Sequence, residues 1–299
     1  MNPKRPRTGP AVPSALTSMQ VDITSRMGAL TAATPTGFSK LDRLLVGGLR
    51  TGTLMAVCGA PGVGRTAFCL LLAYMAARAR AAVAFTSVAL DETEVMARLA
   101  ARALHREYPE SRTPYGAIWS GQAWQDDSTR RPVAAAVDTV VKKVGAQLHL
   151  YRAQPFESTA ELTDIAAHLW GRHDRVVLVV DDIEAFSAGG VDAEHFAAAN
   201  SGLDSRITQV AYELRRIAEQ GCAVVTTALT RNAHLVCPAA TLAGELCARE
   251  DAKEPSDERL QALGARPLQL LVRKNRVGPR GTVPLLFIPG AATFEERTP

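Results

Sequence analysis

The sequence lacks most of the features that would place it in a specialised class. It has no CxxC and no Cys/His spacing of the zinc-binding kind. Its five cysteines, Cys58, Cys69, Cys222, Cys237 and Cys247, are scattered and odd in number, which excludes a small disulfide scaffold. They read as reduced thiols, mostly packed as small hydrophobes. Long hydrophobic runs are also missing: the longest uncharged apolar stretch, Thr66 to Ala77, is too short to span a bilayer and ends beside Arg78. No apolar segment follows the basic start MNPKRPRTGP, so a secretory signal is not expected. There is no repeat of solenoid period and no strong excess of charge of either sign. These absences lead to the expectation of a soluble, cytoplasmic protein with no membrane partner.

What is present suffices for a large core. The 299 residues are 47% hydrophobic and 21% charged, which excludes wholesale disorder and a collagen-like repeat. The 34 Lys+Arg against 30 Asp+Glu leave a net charge of +4. That excess is localised: Lys4, Arg5 and Arg7 stand near the start, and Arg273, Lys274, Arg276 and Arg280 near the end. The remainder is slightly acidic, so the protein is not basic all over. The closing cluster is a candidate phosphate footprint.

Residues 1–34 read as a disordered basic tail followed by one helix, with Leu16, Met19, Ile23, Met27 and Leu30 at helical spacing. From residue 35 apolar strands alternate with helices, the pattern of an α/β fold with a mostly parallel twisted sheet covered on both faces. Strands are expected at Leu54–Cys58, Ala82–Thr86, Leu148–Tyr151, Val176–Val180, Ala223–Thr227, Leu268–Arg273 and Thr282–Ile288. Asp91 reads as a helix N-cap, with Glu94 completing a capping box. The stretches 109–131, 184–203 and 231–265 read as loop-rich or irregular.

The most informative motif lies between the first strand and the helix after it. Gly59-Ala60-Pro61-Gly62-Val63-Gly64-Arg65-Thr66 has the spacing of a phosphate-binding loop, in which glycines let backbone amides wrap a phosphate at a helix N-terminus. Thr66 is placed to ligate Mg²⁺ through its hydroxyl. Arg65 stands where this loop carries Lys; its guanidinium is planar and bulky where an ammonium is compact. Asp181, at the end of an apolar buried-type strand, is the candidate second Mg²⁺ ligand, with Asp182 as its solvated neighbour.

These residues, with Pro35-Thr-Gly-Phe-Ser-Lys-Leu-Asp42, Gly47-Gly-Leu49, Val83-Ala-Phe-Thr-Ser87 with Arg98, Ile118-Trp-Ser-Gly121, Val179-Val-Asp-Asp182 and Arg273-Lys-Asn-Arg-Val-Gly-Pro-Arg-Gly-Thr-Val283 followed by Phe287, resemble the RecA-like motor domain of DnaB-type replicative helicases. The resemblance runs over roughly residues 35–295 and includes no counterpart of the family's separate N-terminal domain. It implies a RecA-like P-loop fold over 35–299, ATP and Mg²⁺ as cofactors, and a ring hexamer with nucleotide at subunit interfaces. Residues 16–30 fall where the family has its linker helix. The resemblance also assigns Lys274 and Arg276 as a basic pair reaching a neighbour's γ-phosphate. The loops at 184–204 and 231–250 correspond to those facing single-stranded DNA, yet neither is rich in Lys, Arg or aromatic residues.

Three positions depart from the family pattern. The water-activating glutamate falls on Ala89, the γ-phosphate-sensing glutamine on Leu229, and the loop lysine on Arg65. Three readings stay open. One is a nucleotide-binding protein with impaired hydrolysis, an oligomeric or regulatory component beside an active helicase subunit. Another is a working ATP-driven helicase whose base comes from Asp91 or Glu92. The third is a structural protein that has lost nucleotide. If the helix over 16–30 docks on a neighbouring subunit, deletion of residues 1–34 shifts the mass distribution in sedimentation towards monomer; an unchanged profile would mean that it packs on its own chain.

Overall fold

The structure is a computed structural model that describes residues 33–189, 202–250 and 252–297. The expected tail and linker helix, and residues 190–201 of the expected loop at 184–204, lie outside the described residues. Helix α1 (Ser39–Leu44) precedes β1 (Thr53–Gly59) and α2 (Arg65–Arg78). Then come β2 (Ala82–Ser87), α3 (Glu92–Glu107), the short α4 (Tyr115–Trp119) and α5 (Asp127–Val144). Next are β3 (Leu148–Arg152), α6 (Thr159–Trp170), β4 (Val176–Asp181), α7 (Leu203–Gly221) and β5 (Ala223–Leu229). The chain closes with α8 (Ala233–Val236), β6 (Leu242–Ala248), α9 (Glu258–Ala262), β7 (Arg266–Asn275), β8 (Gly281–Ile288) and β9 (Thr293–Glu296).

The nine strands form one sheet in the order β3-β2-β4-β5-β1-β6-β7-β8-β9. The first six in that order run parallel, and the last three join antiparallel. Side chains alternate along a strand, so a sheet covered on both faces needs strands apolar at every position. β1 meets that demand. Met55 and Val57 enter the cluster under α2, α3 and α5, whereas Leu54, Ala56 and Cys58 enter the opposite cluster under α6 and α7. Because the parallel strands share a direction, the segments leaving β1, β2, β4 and β5 emerge at one edge, where ligands of such sheets bind. Among the described residues, no helix is long and apolar enough to cross a membrane.

The structure departs from the sequence expectations in four places. The stretch 231–265 is not irregular: it contains β6, a central strand buried between β1 and β7. Gly244 and Glu245 hide it, since both are poor strand formers. Gly244 is needed there because a Cβ would lie 2.7 Å from Leu270 Cδ1. The region read as loop over 109–131 holds α4 and the start of α5, whose cap is Asp126 accepting from Ser128 N at 2.9 Å; Pro132 lies inside that helix. β9 had no sequence expectation, being only four residues long. The folded body also starts slightly earlier than residue 35, since Thr34 pairs with Leu49.

Helix α7 buries Ile207, Val210, Ala211, Leu214 and Ile217 along one stripe, the face legible in the sequence. Leu214 is fully buried. Leu214→Ala therefore lowers unfolding free energy by about 2–5 kcal/mol in denaturant titration.

Candidate phosphate-binding site

The turn between β1 and α2 is shaped by glycines at positions where other residues would be strained. Gly62 and Gly64 take φ values of +75° and +98°. A Cβ on Gly59 would come within 2.6 Å of Val63 Cγ1. Gly64 is the N-cap of α2, and no side chain caps the helix there. The first amides of α2 are thus left facing the open edge of the sheet, which is the usual ground for anion binding.

Aromatic packing holds this turn from behind. The rings of Phe287 on β8 and Phe294 on β9 stack at 4.5 Å, and Phe294 meets Phe68 of α2 edge-on at 5.3 Å. Phe68 in turn stacks on Phe38 at 5.3 Å. A Cβ on Gly64 would lie 2.8 Å from Phe287 and 3.0 Å from Phe294. Arg266, at the start of β7, donates to the Gly62 carbonyl at 2.5 Å. The antiparallel end of the sheet, though distant in sequence, is therefore the floor of the loop.

Asp181 anchors the polar side. Its carboxylate is 3% exposed and accepts hydrogen bonds from Thr66 Oγ1 at 3.1 Å, Thr227 Oγ1 at 2.8 Å and Ser87 Oγ at 3.4 Å. Burial pushes its pKa up, and the threonine hydroxyls and the nearby Arg65 pull against that rise. Arg65 Nη1 is buried without a hydrogen-bond partner. A buried guanidinium N–H rarely stays unsatisfied, so this atom points to an acceptor from outside the chain.

Asp182 is not the solvated neighbour expected. It is half-buried, and burial, then the charges of Glu184 and Asp181, push it up to about 7. The peptide joining Asp181 to Asp182 is cis.

The other expected site residues fall as follows. Ala89 is exposed at the edge after β2, where it presents a methyl group. Asp91 caps α3, accepting from Glu94 N at 2.7 Å. The capping box is only half formed, because Glu94 pairs with Arg98 at 2.7 Å. Leu229 ends β5, and its N–H donates to Glu184 Oε1 at 2.7 Å, as Asn232 Nδ2 does at 2.8 Å. Lys274 does not join the loop of its own chain. Strand register sets Asn275 opposite Leu242, which pairs with Met55. That is four residues, about 13 Å, below Gly59 along β1. Lys274 Nζ instead donates to the carbonyls of Cys237 at 2.5 Å and Pro238 at 3.0 Å, and Arg276 Nη2 to Pro238 at 3.4 Å.

Thr227, Ser87 and Glu184 were not singled out by chemistry in the sequence. Two are hydroxyls at the ends of strands, and only the shared edge brings them to Asp181.

A family model described as the DnaB-like helicase C terminal domain matches residues 33–234, more than half of the chain. The chain belongs to this family. The DnaB-like match stops before the basic cluster at 273–280, but solved structures extend the likeness. One, whose title describes an ATPase domain, is 16% identical with a TM-score of 0.72, covering 95% of this chain and 99% of that one. Another, a DnaB-like replicative helicase described with its interactions with primase, is also 16% identical, with a TM-score of 0.71. Here 95% of this chain and 67% of the other are covered. At this identity the likeness establishes the fold, which is RecA-like. No curated protein matches the chain.

The DnaB-like chain's second expected DNA-facing loop, 231–250, is corrected by the fold: residues 242–248 of it are β6, paired on both sides. Gly64→Ala forces a side chain into left-handed backbone and into the Phe287–Phe294 stack. It lowers stability by about 1–3 kcal/mol in a thermal or denaturant melt.

Proposed function

We propose that the protein is a helicase-family P-loop subunit that binds ATP and hydrolyses it poorly. One observation carries this reading: a glycine-shaped loop with an unsatisfied, buried Arg65 Nη1 opens beside Asp181, while Ala89 occupies the position of the water-activating carboxylate. The first amides of α2 and Arg65 would hold the phosphates. Thr66 and Asp181 offer hard oxygen donors, the set that suits Mg²⁺. The ion supplies charge neutralisation on the phosphate oxygens when bound.

Missing functions explain the expected slow turnover. With Ala89 in place of a carboxylate, no general base is positioned at that point, a loss typically of about 10²–10⁴ in rate. Asp91 is a poor substitute because its oxygen is committed to the Glu94 amide. Leu229 has no polar side chain with which to sense the terminal phosphate. Lys274 and Arg276 sit at the sheet edge away from their own loop, which suits a role towards a neighbouring copy in a ring. On this reading the chain serves as an oligomeric or regulatory component on single-stranded DNA, beside an active helicase subunit.

The active reading has one feature in its favour. Asp182 directly follows Asp181 at the open edge and is a carboxylate that Ala89 does not replace. Steady-state phosphate release with and without single-stranded DNA, together with binding of a fluorescent ATP analogue, separates the cases. Binding with negligible release is expected, and Arg65→Lys alone does not raise release, because position 89 still lacks a base. Release at several per second that disappears in Asp182→Asn or Asp91→Ala would replace the impaired reading with the active one. Absence of analogue binding would leave only an interaction protein.

A further inference from the structure

Beside the phosphate loop stands a pair of thiols that the nucleotide chemistry does not use. Cys58 is the next-to-last residue of β1, immediately before Gly59, and is 2% exposed. Its strand partners Ala228 and Glu245 hold it from both sides. Cys237 follows α8, is only partly buried, and packs against the same apolar cluster that contains Cys58. The two side chains hydrogen-bond, with Cys58 as donor.

That shared hydrogen bond makes the pair unequal. Donating it, and being buried, Cys58 holds its proton and its pKa rises. Cys237 accepts the bond, and Lys274 and Arg273 add positive potential. Burial and Glu245 oppose this, and the net effect draws Cys237 down to about 7. A partly exposed, low-pKa thiol next to a protonated partner is the arrangement of an attacking and a resolving cysteine. The other cysteines are placed differently: Cys69 and Cys222 are buried, and Cys247 accepts from Gln269 Nε2 at 3.6 Å.

We propose that Cys58 and Cys237 form a redox-active dithiol, which a hydroperoxide converts into a disulfide joining α8 to the phosphate-loop strand. The Cys237 thiolate attacks the peroxide, its sulfur takes one oxygen, and hydroxide leaves. The Cys58 sulfur then attacks the sulfenic sulfur; the S–S bond forms, the S–O bond breaks, and the released hydroxide takes the Cys58 proton. Two thiols lose two electrons, and the peroxide is reduced to two waters.

The position of Cys58 decides what this closure does. Cys58 is fixed between two strands, so bringing the sulfurs to bonding distance moves Cys237. The carbonyls of Cys237 and Pro238 hold Lys274 and Arg276, so the bridge displaces the basic pair and leaves the phosphate loop in place. This consequence rests on the role proposed above for that pair; the dithiol itself does not.

The test treats the reduced full chain with hydrogen peroxide, counts free thiols and maps unreduced peptides by mass spectrometry. Two of the five thiols are lost together, and one bridge links the peptides of Cys58 and Cys237. Cys237→Ser slows thiol loss roughly tenfold, since the thiolate sets the rate; Cys247→Ser leaves it unchanged. A bridge between another pair, over-oxidised Cys237 beside a free Cys58, or an unaltered rate in Cys237→Ser overturns the proposal. Nucleotide-dependent self-association, read by sedimentation, weakens on oxidation and recovers with dithiothreitol; equal association in both states overturns the link to the basic pair. Binding of a fluorescent ATP analogue to the reduced chain is scored separately. A bridge without binding removes the nucleotide reading and keeps the dithiol, whereas binding without a bridge does the reverse.

Discussion

The buried carboxylate of Asp181 is the constraint on which the site depends. Removing a carboxylate from water is unfavourable unless hydrogen bonds or a cation replace the lost solvation. Here hydroxyls from α2, β2 and β5 replace it, through Thr66, Ser87 and Thr227. Each of these side chains is thereby fixed relative to the others. The loop after β1 and the ends of β2, β4 and β5 become one polar assembly at the open edge of the sheet. A group that could balance the carboxylate better than hydroxyls, such as a divalent cation, would bind where the chain already concentrates its oxygen donors.

The second support is apolar. The antiparallel strands β7 to β9 extend a parallel sheet that is complete without them, and the Phe38–Phe68–Phe294–Phe287 stack explains their value to the site. It fills the space behind Gly64, so the left-handed turn cannot relax. The same edge supplies Arg266 to the Gly62 carbonyl and, at its other end, Lys274 to the carbonyls after α8. One β-structure thus touches both the loop and the basic pair, from opposite edges of the sheet. A loop can keep a phosphate-binding shape for such packing reasons even after residues that serve hydrolysis have gone. Retained shape and lost chemistry, seen in Gly62 and Gly64 against Ala89 and Leu229, are therefore compatible.

Much of the fold was legible because the apolar strands are uninterrupted. Val176–Val180 and Ala223–Thr227 have no polar break, and α7 shows a full stripe at helical spacing, so burial dictated the reading. β6 was not legible. Its Gly244 and Glu245 look like loop residues, and only the crowding by Leu270 explains the glycine. In the site, the loop and Asp181 were readable from spacing. Thr227 and Ser87 were not, because a hydroxyl at a strand end has no pattern until neighbouring strands are aligned. Asp182 was read as solvated, but its burial comes from neighbours far away in sequence.

Sequence by itself determined the alternation of strands and helices, the glycine-bearing loop before α2, and the substitutions Ala89, Leu229 and Arg65. Local periodicity and backbone conformation decide such features, and both are written within a few residues. Only the tertiary structure decided that Asp181 is held by three hydroxyls, that Phe287 and Phe294 lie under Gly64, and that Lys274 faces away from its own loop. Those are distances between segments up to more than two hundred residues apart, and the order and register of strands in the sheet set them.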